Sequence, residues 1–243
     1  MSVNTITASN NVFYKCLIYS GFVYLVLLFL ALFLGGFIPP ASPDWSEPDL
    51  FSHLNENSLG VQLCGILFVI CSPLYITFSI AIARYMRLSG SSVEMIVSQV
   101  ALAVLGSATF LVCGILFVVI GFRVENSASS VYYLHDFAWI MMLLPWPPFL
   151  LQNFVIGTSI IKAQSQNSSI PSWVGYLNFW VAISFIPSTF LCFFKSGPFA
   201  WNGILVFWLA ASVFALWFLV MGIYLLKDAN TNTNTNIKMS HDP

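Results

Sequence analysis

Apolar residues in this chain gather into six long runs, at about 14–38, 61–85, 95–122, 132–161, 173–194 and 204–226, with short polar segments between them. A hydrocarbon core takes about 20 helical residues to cross, and every run is long enough. The pattern predicts an all-α fold, a polytopic transmembrane helical bundle of about six spans with a proline-broken fourth helix. The first run is too long for the roughly 7–15-residue apolar region of a cleaved leader, so it reads as a retained span. The bundle should occupy residues 14–228, after a short N-terminal segment at 1–13. The tail at 229–243 alternates Asn and Thr from Asn230 to Asn236. It has no apolar face to bury and reads as disordered.

Prolines punctuate the runs. Pro39 and Pro40 stop the first, and Pro73 should bend the second near its middle. In the fourth, Pro145-Trp146-Pro147-Pro148 removes three backbone donors within four residues. Irregular backbone at membrane depth survives only against protein or water, so this run is either a broken helix inside the bundle or two shorter elements. Gln152 and Asn153 follow the break, where their amides are placed to serve freed carbonyls. Pro187 marks a kink in the fifth run. Between the first two runs, Ser46-Glu47-Pro48-Asp49 has the form of a helix start, and Leu50, Phe51 and Leu54 then share a side. A short surface helix anchored by these residues and Trp45 is one reading, and an irregular acidic loop is the other. Gly106, Ser107 and Gly114, with Ala31 and Gly35, offer places for helices to approach closely.

Composition narrows the functional classes. Charged residues make up 7% of the chain, against roughly 25% in soluble domains, so water cannot be the solvent of this surface. Eight basic residues scattered over several loops form no patch for a nucleic-acid backbone. The cysteines, Cys16, Cys64, Cys71, Cys113 and Cys192, lie in or beside apolar runs and read as small hydrophobes. With an inside amino terminus, Lys15, Arg84, Arg87, Lys162, Lys227 and Lys238 fall inside, and only Arg123 and Lys195 outside. The positive-inside rule therefore favours both termini in the cytoplasm.

Few side chains carry chemistry. Asp136 is the leading candidate, because a carboxylate at mid-helix costs about 2.5–3.5 kcal/mol on insertion and must face protein, water or a cation. The bland reading is a helix-end residue in contact with water. His135 stands about 100° from Asp136 and shares a side with Trp139, while Asp136 shares one with Ile140 and Leu143. A relay through the pair would need a third group, such as Arg123 or Glu125 from the nearby loop, or a water, and a surface ion-pair network is the simpler alternative. Trp139, Trp146, Phe149, Gln152 and Asn153 combine rings and amides around the break, a set suited to lining an apolar pocket or to fitting a kink among its neighbours. The candidate ligand-binding residues are thus His135, Asp136, Trp139, Trp146, Gln152 and Asn153. The histidines, His53, His135 and His241, are too few for a metal centre, and no phosphate loop, serine elbow or haem motif is present. No cofactor is expected.

Ser172-Trp173-Val174-Gly175-Tyr176-Leu177, then Gly197-Pro198-Phe199-Ala200-Trp201-Asn202-Gly203 and an aromatic last run, resemble a group of uncharacterised bacterial small integral membrane proteins. That group also has an Asp-Phe/Leu-Ala-Trp patch in a middle helix, here Asp136-Phe137-Ala138-Trp139. The resemblance covers about residues 60–228. It implies a multi-pass protein of the bacterial inner membrane and carries over no catalytic role. The expected function is a non-enzymatic accessory or structural subunit that packs against membrane partners or a second copy, or binds lipid or another apolar molecule. A small transporter or channel built on Asp136 and the broken fourth helix is the alternative. A membrane enzyme comes third and would need a polar cluster around a cofactor.

Overall fold

A computed structural model describes residues 3–123, 127–164 and 169–239, with side chains from 11 to 231 within those segments. In chain order the helices are α1 (Val3–Leu34), α2 (Glu47–Glu56), α3 (Ser58–Leu88), α4 (Val93–Arg123), α5 (Ala128–Leu143), α6 (Pro147–Ala163), α7 (Ser172–Ile183) and α8 (Leu209–Met239). A 3₁₀ segment (Ile186–Cys192) continues from α7, and a π-helical turn (Ile204–Trp208) precedes α8. The chain is a six-span membrane bundle, with α5 and α6 forming one span, α7 and the 3₁₀ segment another, and the π turn and α8 the last.

The spans form a ring. Each packs on the next, α1 on α3, α3 on α4, α4 on α5 and α6, α6 on α7 and α7 on α8, and α8 closes onto α1. Small residues set the tightest seam. Ser58, Gly65, Ser72 and Ser79 recur every seventh residue along α3 and face Gly121, Gly114, Ser107 and Gln99 on α4. A Cβ on Gly65 would lie 2.4 Å from the Gly114 carbonyl oxygen, so the two backbones touch. Ser107 Oγ donates to the Ser72 carbonyl (2.6 Å), Gln99 Nε2 to Ser79 Oγ (2.8 Å) and Gln62 Nε2 to the Gly121 carbonyl (3.0 Å). A seven-residue repeat along α3 keeps one face of that helix on its partner. Gly106 is not part of this contact, since its Cβ would meet only Tyr75, at 3.6 Å. Ala31 is buried, and a Cβ on Gly35 would lie 3.0 Å from that of Cys64 on α3. A second backbone contact, Gly157 against Gly175, joins α6 to α7.

Rings fill the axis of the bundle. Tyr24 stacks on Phe218 at 5.0 Å and lies 5.6 Å from Tyr75, and Phe214, Trp217 and Phe78 extend the cluster. One end is covered by α2, whose N-cap Ser46 accepts from the Asp49 N–H. Leu50 and Leu54 turn inward and join the core, so α2 is a cap on the protein rather than a helix lying on lipid. Glu47 accepts from Ser129, and the Trp45 carbonyl from Tyr132, which fasten the cap to α5. At the opposite end, Asp228 of α8 accepts from Ser169, and Arg84 of α3 lies over the Tyr14 ring of α1 at 4.4 Å.

Interruption is not confined to the fourth span. α5 and α6 are separated by Leu144–Trp146, but α7 also gives way to the 3₁₀ segment, with Pro187 in its first turn, and the sixth span opens with the π turn. Pro73 lies within α3 without ending it. The chain ends also differ from expectation. α1 starts at Val3, and α8 continues as helix through the Asn-Thr repeat to Met239. Asp228 and Ala229 are still buried there, and Thr231 Oγ1 bonds back to the Lys227 carbonyl (3.0 Å), so packing continues a few residues past Leu226. Glu125 and His241 lie outside the described residues.

Candidate functional site

The three interruptions meet around one apolar crevice. Its outer lobe, about 80 Å³, is bounded by Leu28, Phe29 and Leu32 of α1 and by Phe207, Ala210 and Ala211 of the sixth span. Its deeper lobe, about 50 Å³, is bounded by Tyr75, Gly106, Thr109, Pro145, Trp146 and Phe149. Phe110, Met142, Leu143, Phe185 and Phe214 border both lobes, so the two lie side by side. Met142 and Leu143 come from the end of α5, Phe185 from the linker after α7, and Phe207 from the π turn. Helical breaks displace side chains that a straight helix would stack, and here that displacement leaves a gap. The lining is almost wholly hydrocarbon, and the space is neither sealed nor flat.

Hydrogen bonding around the break departs from expectation. Leu144, whose carbonyl Pro148 cannot serve, accepts instead from the Trp146 N–H (2.8 Å). Gln152 and Asn153 serve none of the freed carbonyls. Gln152 Oε1 accepts from the Tyr75 hydroxyl across the bundle (2.5 Å), and Asn153 Nδ2 donates to the Phe149 carbonyl one turn back (2.9 Å). Both amides are fully buried, and Gln152 Nε2 and Asn153 Oδ1 have no hydrogen-bond partner among the described residues.

The sequence-derived candidates therefore separate into three places. Trp146 lines the deeper lobe, and Gln152 stands behind it on Tyr75. His135 and Trp139 form a second group beneath the segment between α1 and α2. Trp139 Nε1 donates to His135 Nε2 (2.9 Å), which assigns the imidazole proton to Nδ1. Phe37 and Trp201 enclose the pair at ring distances of about 6 Å, and Trp201 Nε1 is anchored on the Ala41 carbonyl (2.8 Å). Asp136 is alone on the third side. It is half-buried, about 12 Å down α5 at 1.5 Å per residue, and Lys195 from the turn beyond the 3₁₀ segment is near enough to act on it electrostatically. His135 and Asp136 do not face one another.

Other residues of the site were missed from sequence. Tyr75 and Thr109, polar groups inside otherwise apolar runs, were the signals available, and the aromatic border drew no notice among so many rings. Asn178 was missed too. Its Oδ1 accepts from Trp217 Nε1 (2.8 Å), joining α7 to α8. Cys64, Cys71 and Cys113 are buried and free. Among the described residues, no group of three or more His, Cys, Asp or Glu side chains is placed to hold a metal. An open bowl of about 420 Å³ on the cap is bounded by Trp45, Asp49, Ser52, His53 and Glu56. No protein-family model, curated protein or solved structure matches this chain.

Proposed function

We propose that this is a non-enzymatic integral membrane protein that binds lipid or another apolar molecule in the crevice at its three helix breaks. The observation that carries the reading is the crevice itself, an apolar gap bordered by Met142, Phe185 and Phe207, one residue from each interrupted span or linker. Irregular backbone in lipid is costly, and a sequence that keeps it in three neighbouring spans has a use for the shape it makes. The likeness to bacterial small membrane proteins belongs to the same proposal, as does an accessory role beside a membrane partner or a second copy. Sidedness follows the basic residues: Lys15, Arg84, Arg87, Lys162 and Lys227 gather at the end opposite α2, which we assign to the cytoplasm.

Transport through Asp136 has less support. The basic group that acts on Asp136 is Lys195, Gln152 and Asn153 bond elsewhere, and the bundle interior is packed with rings. The two readings give different experiments. Ala211→Leu narrows the outer lobe, so lipid that co-purifies with the protein, counted by native mass spectrometry, should fall by at least about one molecule per chain. Unchanged lipid content in that variant would sink the binding reading. Proteoliposome flux that falls with Asp136→Asn would restore the transport reading.

A further inference from the structure

His135 is fully buried about 10 Å along α5 from Ala128, at 1.5 Å per residue, beneath the connection that carries α2 from α1 to α3. Its Nε2 accepts from Trp139 Nε1 (2.9 Å), so its one proton is on Nδ1, and Nδ1 has no hydrogen-bond partner among the described residues. Phe37 of the connection and Trp201 close over the ring. The connection is fastened to the bundle by Trp201 on the Ala41 carbonyl, and by two exposed bonds, Tyr132 to the Trp45 carbonyl (3.3 Å) and Ser129 to Glu47 (2.7 Å). The acids of the neighbouring elements are engaged elsewhere. Glu47 accepts from Ser129, Asp49 from Ser46 and Glu56 from Ser52, Asp44 is exposed, and Lys195 acts on Asp136. From α4 come Cys113, whose thiol donates to the Ala138 carbonyl, and Arg123, which lies over the Phe122 ring. The cap brings His53. A Cβ on Gly36, next to Phe37, would lie 3.8 Å from His53 Nε2, and His53 acts on His135 electrostatically.

We propose that His135 is a proton-operated latch: a second proton on its ring releases the connection at 35–57 from the bundle and opens the α2 end to water. It stands independently of the crevice and its guest. Nε2 can take a proton only by giving up the Trp139 bond. The imidazolium formed would then lie among Phe37, Trp139 and Trp201, with another histidine as the cap's titratable neighbour. Ring faces attract a cation far more weakly than water solvates it, and a buried charge without a partner is strongly disfavoured. Opening the connection brings water to both nitrogens, including the Nδ1 proton that the closed form leaves unmet. The closed form holds one proton on this ring and the open form can hold two. Falling pH therefore favours opening, and rising pH favours closing.

The test uses the full chain in lipid nanodiscs. Amide hydrogen exchange of the 35–57 peptides is followed from about pH 7.5 to about pH 4.5 and corrected for intrinsic rates, with the α3–α4 seam as reference. Protection of 35–57 should fall about tenfold for each pH unit below about 6.5, the ordinary value for a histidine in water, while the seam stays unchanged. His135→Gln keeps an acceptor for Trp139 and cannot titrate, so its protection should not vary with pH. A fall of the same size in that variant would overturn the proposal and assign the effect to Glu47 or His53. Constant protection in the natural sequence down to about pH 4.5 would overturn it too. A second measurement serves if His135→Gln does not fold. In a chain carrying His53→Gln and His241→Gln, the ¹⁵N spectrum of the remaining histidine should show a doubly protonated ring with the same midpoint as the loss of protection. Loosening of 35–57 while His135 Nε2 stays unprotonated would remove the latch.

Discussion

The first three spans and the last three solve the same problem in opposite ways. α1, α3 and α4 are unbroken, and α3 and α4 are drawn together until Gly65 and Gly114 touch backbone to backbone. The later spans are interrupted at Leu144–Trp146, after Ile183 and at the π turn of Ile204–Trp208. One backbone contact, Gly157 against Gly175, recurs there, and elsewhere rings and single long-range bonds such as Trp217 to Asn178 join the helices. Close backbone contact leaves no room for a guest, whereas ring packing around broken helices leaves gaps of irregular shape. The regular half reads as a frame, and the breaks of the interrupted half open the crevice against it.

That contrast can be attacked by substitution. The largest effect should come from Gly65→Leu, which drives a side chain into the Gly114 carbonyl, and we expect a loss of about 3 kcal/mol or more, read as failure to refold or a sharp drop in thermal stability in detergent. Next is Trp217→Phe in the interrupted half, which keeps the ring contacts but strands Asn178 Oδ1, at a cost of about 1–3 kcal/mol in the same assay. If it cost more than Gly65→Leu, the division into frame and shaped half would fail. The smallest effect belongs to Ser107→Ala, which removes a hydroxyl bonded to the Ser72 carbonyl but keeps the close approach, and should cost about 0.6 kcal/mol. A loss several times larger would mean that polar bonds rather than small size hold the seam.

Much of the architecture could be read from the chain, because the lipid requirement is a strong filter. The expected runs at 61–85 and 95–122 fall within α3 and α4, and the acidic segment after Pro40 does start a helix at Glu47. Composition could not say that Leu50 and Leu54 face protein, since lipid and a protein core ask for the same side chains. The π turn after Gly203 was also invisible, as neither proline nor polarity marks it. Within the candidate site, Trp146 and Gln152 were found from the proline cluster beside them. Tyr75 was not, because its role depends on a residue 77 positions away. Asp136 drew attention by charge alone, and Lys195, the basic group that acts on it, lies 59 positions away.

The half-open crevice has a practical consequence for anyone measuring affinity. A guest that arrives sideways must first dissolve in the bilayer, so occupancy follows its mole fraction among the lipids and not its concentration in the buffer. Two compounds with equal fit would then differ in apparent potency by the ratio of their partition coefficients, and a titration in water would rank them by greasiness unless the lipid content were held fixed.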